Sequence, residues 1–294
     1  MKYGIYYAYW EKEWAADYVK YVDKVASLGF DILEIGAAPL ADYTPEQIRA
    51  LRGAAEKAGI QLTAGYGPTW NHNMGSADPA IRREAEDWFR RCFDVMGQLD
   101  IRLIGGALYS YWPVDFTQEM HKEEDWKRSV DGVRKLSELA APYDITLGME
   151  VLNRFENHIL NTSAEGTAFV KEVDRPNVKV MLDTFHMNIE ETSIGDAIRT
   201  AGPLLGHFHT GECNRRVPGQ GRTPWREIGD ALRDIGYDGT VVMEPFVNMG
   251  GQVGRDIKVW RDLSGGATEA QLDEDARQAL IFEHYMLDWK KEAP

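Results

Sequence analysis

The chain has 294 residues, of which 44% are apolar and 11% aromatic, so it can bury the core of one large α/β barrel or of two ordinary domains. Its formal net charge of −14 at pH 7 disfavours nucleic acid and anionic membranes as partners, because both repel an acidic surface. Its two cysteines are too few for a disulfide framework or a cysteine-based zinc site.

The sequence also argues against a membrane or secreted location. It contains no apolar run of the roughly 18 residues that a membrane span requires. The first fourteen residues carry charges where a signal peptide would have its apolar stretch. We therefore expect a cytoplasmic protein with no membrane partner.

Eight short apolar segments alternate with longer segments of helical periodicity. The apolar segments, which we predict to be strands, are 4–10, 31–36, 61–67, 101–108, 145–152, 178–183, 204–211 and 240–247. Helical spacing after the first strand predicts one buried helix face, formed by Trp14, Tyr18, Tyr21, Val22 and Val25. After the eighth strand we predict an extended loop over 248–268 and a last helix over 271–289.

Helix boundary signals agree with this alternation. Capping boxes are predicted to begin at Thr44 and Thr162. Left-handed glycines between helix and strand are predicted at Gly29, Gly59 and Gly236. Eight units of about 37 residues each fit a (β/α)8 barrel. The alternative is an open doubly wound sheet, but no G-x-G-x-x-G follows the first strand. We predict an α/β protein consisting of a single (β/α)8 TIM barrel domain over residues 1–294.

In such a barrel the chemistry lies at the C-terminal ends of the strands. Strands five to eight each end in one potential metal ligand, in order Glu150, Asp183, His209 and Glu244. Three carboxylates directed at one place repel one another unless a cation neutralises them, and oxygen donors with one nitrogen favour Mn²⁺, Mg²⁺ or Co²⁺. Any one of these side chains could instead pair with a Lys or Arg at the rim, so the metal prediction depends on all four together.

Four segments, 149–158, 181–191, 206–219 and 241–247, resemble signature segments of the ketose 3-epimerases, which are xylose isomerase-like barrels. The resemblance is nearest to the D-psicose (D-allulose) 3-epimerase branch, which is related to D-tagatose 3-epimerase. It covers nearly the whole chain and is weakest in the loop 65–76 and in the C-terminal tail.

The resemblance implies one divalent ion per chain, with Mn²⁺ as the expected ion and Co²⁺ or Mg²⁺ as alternatives. The implied metal ligands are the same four strand-end residues, and two of them, Glu150 and Glu244, match the acid/base carboxylates of the family. The implied contacts to sugar oxygens near C1 to C3 are Glu156, His186 and Arg215. The implied apolar surround of the sugar is Tyr6, Trp14, Trp112 and Phe246. Family members form homo-oligomers, so a dimer or tetramer is expected. His207 is expected to be a hydrogen-bonded histidine of the barrel core.

The implied reaction is epimerisation at C3 of free ketohexoses, with D-fructose to D-psicose (D-allulose) as the first pair. Loss of the C3 proton beside the carbonyl gives a carbanion, which a divalent ion on O2 and O3 would stabilise as a cis-enediolate. Two glutamates on opposite faces of this flat species could remove and return the proton.

Three alternatives stay open at this point. A metal-dependent endonuclease would need more histidine ligands and a basic surface for DNA. A sugar-binding barrel without activity would be expected to lack one of the opposed carboxylates. An aldose–ketose isomerase, which moves a hydrogen between C1 and C2 by similar chemistry, is the closest enzymatic rival.

Overall fold

A computed structural model describes residues 1–288; the predicted helix end at 289 and the rest of the tail to 294 lie outside the described residues. Within 1–288, eight parallel strands close into a barrel in chain order. The strands are β1 (Lys2–Tyr6), β2 (Ile32–Gly36), β3 (Gln61–Gly65), β4 (Leu103–Gly106), β5 (Thr146–Glu150), β6 (Val178–Asp183), β7 (Leu205–Thr210) and β8 (Thr240–Met243). The TIM barrel prediction is confirmed, whereas a single domain over 1–294 stays a prediction.

Helices connect the strands and cover the outside of the barrel. They are α1 (Val19–Leu28), α2 (Pro45–Ala58), α3 (Pro79–Gln98), α4 (Lys122–Ala140), α5 (Ser163–Val173), α6 (Thr184–Glu190), α7 (Ile194–Ala201), α8 (Trp225–Asp234), α9 (Gly251–Asp256) and α10 (Glu269–Leu287). Among these helices of the described chain, none combines the length and the hydropathy that a membrane crossing requires.

The predicted caps determine where several helices begin and end. The Thr44 and Thr162 side chains accept the backbone N–H of the third helical residue in α2 and α5, which completes both predicted capping boxes. Gly29, Gly59 and Gly236 have φ values of 94°, 70° and 65°, so each adopts the left-handed conformation predicted between helix and strand.

The structure corrects several predicted boundaries; β1 and β8, for example, end earlier than predicted, at Tyr6 and Met243. The first helix begins only at Val19, so Trp14 and Tyr18 both precede it, and Trp14 lies in the connection after β1. The indole of Trp14 donates a hydrogen bond to Asp256 of α9 at 2.7 Å, and this contact places the ring at the barrel mouth instead of on a helix face. The segment 248–268, predicted as a loop, contains the short helix α9. The Val253 N–H of this helix donates to the Lys12 carbonyl at 2.9 Å, which anchors the helix to the connection after β1.

Glycines on β4 let neighbouring groups approach beneath the mouth. A Cβ at Gly105 would lie 2.4 Å from Met181 Sδ, and a Cβ at Gly106 would lie 2.1 Å from the carbonyl oxygen of Tyr66. Gly106 also has a φ of 128°, which residues with a side chain rarely adopt. Space at this side of the barrel therefore depends on the absence of side chains.

Candidate active site

Four potential metal ligands meet at the C-terminal rim of neighbouring strands. Glu150 and Asp183 end β5 and β6, His209 is the penultimate residue of β7, and Glu244 directly follows β8. Each offers one donor atom, and these four atoms all lie within 4.8 Å of one another. The barrel thus brings together three carboxylates and one imidazole, as the strand-end pattern predicted.

Two atoms of this cluster are buried without a hydrogen-bond partner among residues 1–288, namely Asp183 Oδ2 and His209 Nδ1. Asp183 Oδ2 has only longer ion-pair contacts, to Arg215 at 3.5 Å and to His186 at 3.7 Å. Buried polar atoms are costly unless something satisfies them, and carboxylate oxygens with one imidazole nitrogen are donors for divalent ions. The cluster therefore fits a divalent metal ion.

The charges of the cluster are strongly coupled. Burial raises the pKa of Glu150 well above its usual range, and the nearby Glu244 and Asp183 raise it further. Burial alone would lower the pKa of His209, but the carboxylates of Glu34 and Glu244 outweigh burial and raise it. Three carboxyl groups lie close together in this buried site, so a bound positive charge would stabilise their ionised forms.

His186 faces the cluster in a defined tautomer. Its Nδ1 accepts hydrogen bonds from the backbone N–H of Asn153 at 3.2 Å and from the Asn153 side-chain amide at 2.8 Å. Its Nε2 therefore carries the proton and lies 3.6 Å from Glu150 Oε1. Burial lowers the pKa of His186, so the ring is a neutral hydrogen-bond donor directed into the site.

Glu156 lies beside this donor. Its Oε1 accepts from the Asn153 amide at 3.0 Å and its Oε2 accepts from the indole N–H of Trp112 at 3.1 Å. Burial would raise the pKa of Glu156, but the neighbouring His186 ring, the Arg215 guanidinium and these hydrogen bonds hold it below its usual range. Glu156 is thus a charged acceptor at the edge of the metal cluster.

Arg215 adds a positive charge beside the acidic residues of the site. Its guanidinium lies 3.3 Å from Glu244 Oε2 and 3.7 Å from Glu156 Oε1, and it stacks 3.7 Å above the Phe185 ring. The backbone of Arg215 has a φ of 64°, and its carbonyl accepts from Phe246 N–H at 2.9 Å. Arg215 is buried, whereas its neighbour Arg216 is partly exposed.

The loop that carries Arg215 is built around one carboxylate. Glu212 is buried and accepts the backbone N–H groups of Gly219 and Thr223 at 2.7 and 3.0 Å, together with the indole N–H of Trp225 at 2.8 Å. Three hydrogen bonds to one charged group fix the loop conformation, and the Glu212 carbonyl accepts the Arg215 N–H at 2.9 Å.

The four predicted apolar residues line one wall of the same cavity. The Trp14 ring lies edge-on to the rings of Trp112 and Phe246, at 6.2 Å between centroids in both pairs. Tyr6 lies edge-on to Phe246, also at 6.2 Å. Ten of the eleven predicted site residues line this cavity, and the eleventh, Asp183, joins it through the metal-ligand cluster.

Sequence reasoning missed three side chains that support this site. They are Glu34, Asn153 and Phe185. Glu34 is a lone carboxylate inside the apolar strand β2, and that pattern was a usable signal. His207 is buried and hydrogen-bonded to Glu34 and Thr240, in agreement with the expectation of a core histidine.

Known proteins share this architecture. Residues 22–263 match the sequence family described as xylose isomerase-like TIM barrel. A D-psicose 3-epimerase of Ruminiclostridium cellulolyticum is 59% identical over 291 residues, which cover 99% of each chain.

Two solved structures are similar over nearly the full length. A D-psicose 3-epimerase with D-tagatose from Clostridium cellulolyticum H10 superposes with a TM-score of 0.97 at 60% identity, covering 98% of this chain and 99% of that one. A D-psicose 3-epimerase in the presence of D-fructose superposes with a TM-score of 0.97 at 58% identity, covering 98% and 100%. The chain therefore belongs to the ketose 3-epimerase family of xylose isomerase-like TIM barrel enzymes.

Proposed function

We propose that the chain interconverts D-fructose and D-psicose (D-allulose) by metal-dependent epimerisation at C3 of the free sugar. The observation that carries this proposal is the cluster of four ligand atoms in which Glu150 ends β5 and Glu244 directly follows β8, so that β6 and β7 lie between them. The similar proteins named for D-psicose, one of them solved in the presence of D-fructose, support this choice of substrates.

The proposed ligands of the metal ion are Glu150, Asp183, His209 and Glu244, and the proposed ion is Mn²⁺, with Co²⁺ or Mg²⁺ as alternatives. The donor set supports this order, since carboxylates suit Mn²⁺ and Mg²⁺ and an imidazole suits the transition metals. When bound, a divalent ion polarises the sugar carbonyl and stabilises the negative charge that develops when C3 loses its proton.

Glu150 and Glu244 are the proposed proton carriers. The deprotonated sugar is flat around C3, so inversion requires a second group on the other face to return a proton. Each glutamate would act as base for one epimer and as acid for the other.

Glu156, His186 and Arg215 are the proposed contacts to the sugar oxygens near C1 to C3. The His186 Nε2–H and the Arg215 guanidinium are donors, and the Glu156 carboxylate is an acceptor, so together they can bind hydroxyl and carbonyl oxygens in one orientation. The wall formed by Tyr6, Trp14, Trp112 and Phe246 would pack against the remaining carbons and exclude water.

Family membership alone supports three broader proposals. They are a single domain over residues 1–294, a homo-oligomer (dimer or tetramer) and a cytoplasmic location. Light scattering after size-exclusion chromatography measures the molar mass in solution and therefore the number of subunits.

The decisive experiment is incubation of the metal-reconstituted protein with each free ketohexose in D₂O. We expect deuterium at C3 together with inversion at C3, fastest with D-fructose and D-psicose. Deuterium at C1 or C2 with an aldose product would instead identify an aldose–ketose isomerase. Unchanged sugars in the presence of Mn²⁺, Co²⁺ and Mg²⁺ would contradict the proposal.

A further inference from the structure

Glu34 is a charged side chain that lies completely inside the barrel and is not one of the proposed metal ligands. It belongs to β2, on the side of the barrel away from the acidic rim, and it is 0% exposed. A buried carboxylate is costly unless hydrogen bonds compensate for the lost water. Its location therefore calls for partners, and the structure provides three.

The partners of Glu34 divide between its two oxygens. Oε1 accepts from His209 Nε2 at 2.6 Å, while Oε2 accepts from His207 Nε2 at 2.9 Å and from the Thr63 hydroxyl at 2.8 Å. His207 is fixed from its other nitrogen, because Nδ1 lies 2.6 Å from the Thr240 hydroxyl. Thr63 and His207 thus hold the carboxylate in one orientation, and its remaining oxygen faces His209.

A carboxylate can only accept hydrogen bonds, so the contact places a proton on Nε2 of His209. The lone pair that binds a metal ion must then come from Nδ1, which is the ring nitrogen directed toward Glu244 at 3.8 Å. A hydrogen bond from the second nitrogen is the usual means of fixing the tautomer and orientation of a ligating histidine.

The geometry points to Glu34 as the positioning residue of the metal site: it holds His209 in the orientation and tautomer that present Nδ1 to the ion. This inference rests on the proposed metal site. It extends the functional set across the barrel to β2, a strand that contributes none of the four proposed metal ligands.

Glu34, His207 and His209 also satisfy the distance condition for a metal cluster of their own. Their nitrogen–oxygen separations of 2.6 and 2.9 Å are, however, those of shared protons. An ion with bonds of about 2.0–2.1 Å in tetrahedral geometry would hold its donors roughly 3.3 Å apart. The hydrogen-bonded arrangement is therefore the one that we test, and a second ion is the competing outcome.

Glu34→Gln is the informative variant because it keeps the shape but replaces one oxygen by an NH₂ group. The glutamine amide accepts the largest number of hydrogen bonds when its oxygen faces the two donors Thr63 and His207, and its NH₂ group then faces His209. Two N–H donors cannot face each other, so the His209 proton would move to Nδ1 and block the ligand. Thr63→Val is the matched control, since it removes a hydrogen bond to the same carboxylate and leaves the contact to His209.

The test is calorimetric titration of Mn²⁺ into the metal-free wild type and into the Glu34→Gln, Thr63→Val and His209→Ala variants. We expect one ion per wild-type chain, an affinity loss of about 10–100-fold for Glu34→Gln, and less than about 3-fold for Thr63→Val. Raising the Mn²⁺ concentration should restore part of kcat in Glu34→Gln, with KM for the sugar little changed.

Each contrary result has a distinct meaning. Unchanged affinity in His209→Ala would contradict the proposed metal site itself. A loss in His209→Ala without a loss in Glu34→Gln would overturn the positioning role alone. Two ions in the wild type, with one lost in Glu34→Gln, would make the cluster of Glu34, His207 and His209 a second metal site.

A measurement on the wild type keeps the inference testable if Glu34→Gln fails to fold. In the Co²⁺-loaded protein, the proton on Nε2 of His209 should give a paramagnetically shifted NMR signal that disappears in D₂O and is missing in His209→Ala. Absence of that signal from the wild type would contradict the assigned tautomer.

Discussion

The two halves of the barrel mouth differ in what they bring to the site. Strands β5 to β8 end in charged donors, and the loop after β7 adds Arg215. The half built on β1 to β4 contributes aromatic rings, glycines and open space, with Tyr6, Gly65, Gly106 and Trp112 in the cavity lining. The half built on β5 to β8, the charged half, thus holds the groups proposed to move protons and to bind a cation, while the half built on β1 to β4, the shaping half, gives the cavity its shape.

Neither half is independent of the other. Glu34 of β2 supports His209 of β7 from below, and the indole N–H of Trp112 after β4 donates to Glu156 after β5 at 3.1 Å. We therefore expect losses in the charged half to abolish chemistry, and losses in the other half to change binding.

Removal of the metal ion should have the largest effect. Chelation is expected to reduce epimerisation to background, because the charged half loses the cation that stabilises the deprotonated sugar. It should also lower Tm by roughly 5 °C relative to protein in which the free metal concentration is about 100 times Kd, because the ion stabilises only the folded state. Activity assays and thermal melts check this, and re-addition of Mn²⁺ is the control. Full activity of metal-stripped protein would contradict the entire assignment.

Replacement of either proposed proton carrier should have the next largest effect. Glu150→Gln and Glu244→Gln are each expected to lose at least about 10⁴-fold in kcat, since an amide carries no proton and ligates more weakly. At saturating Mn²⁺ with measured occupancy, at least one variant should still exchange the C3 proton of one epimer with D₂O without inverting it.

Glu191→Gln is the matched control for these two variants. It makes the same change at a half-buried glutamate away from the cavity lining, whose carboxylate accepts the Ser163 N–H at 2.6 Å. It should retain activity within about 2-fold. If both glutamine variants at the mouth, fully metallated, epimerise at near wild-type rates, the proton carriers have to be sought at Glu156 and His186.

A buried carboxyl outside the barrel wall provides the next test. Burial raises the pKa of Glu283 in α10 to about 8, although a hydrogen bond from the Thr210 hydroxyl opposes the rise. In the unfolded chain Glu283 has its ordinary, lower pKa, so between about pH 4.5 and 8 the folded protein holds a proton that the unfolded chain has lost. The free energy of unfolding therefore falls as pH rises through this window. Glu283→Gln should remove that slope, on the order of a few kcal/mol across the window.

Urea unfolding of the wild type and of Glu283→Gln at several pH values measures this slope. The variant should keep its kcat, because Glu283 lies behind the wall and not in the cavity lining. An identical pH slope in both proteins would mean that Glu283 does not titrate in this window.

The smallest expected effect belongs to the shaping half. Trp112→Phe keeps an aromatic ring but removes the hydrogen bond to Glu156, so KM should rise about 5-fold, equivalent to about 1 kcal/mol, with kcat nearly unchanged. Trp126→Phe is the matched control, because its indole donates to Glu172 on the outer surface at 2.7 Å. A collapse of kcat in Trp112→Phe would place Trp112 in the chemistry itself.

The metal cluster was predictable from sequence because barrel closure makes the ends of consecutive strands converge. Glu150, Asp183, His209 and Glu244 needed only the strand assignments and that rule. Their hydrogen-bond partners were not predictable in the same way. Glu34 and His209 are 175 positions apart, and only closure across the barrel interior brings them together.

Periodicity misled where aromatic residues continue beyond an element. Trp14 fits the spacing of α1, yet its indole finds a carboxylate on Asp256, and that tertiary contact decides its position. The short helix α9 was missed for the same reason, since its anchor is the Lys12 carbonyl and not a local sequence signal.

The hydrogen bond between Trp14 and Asp256 has a consequence for how the protein is made. It joins positions 242 apart, and β1 completes its pairing only with β8. During synthesis on the ribosome, a nascent chain that ends before β8 cannot close the barrel or place Trp14 in the wall. Closing so long a loop is slow because its entropy must be lost before the contact is gained. Sugar-binding competence should therefore arise in one late step of folding, after the α9 segment has left the exit tunnel.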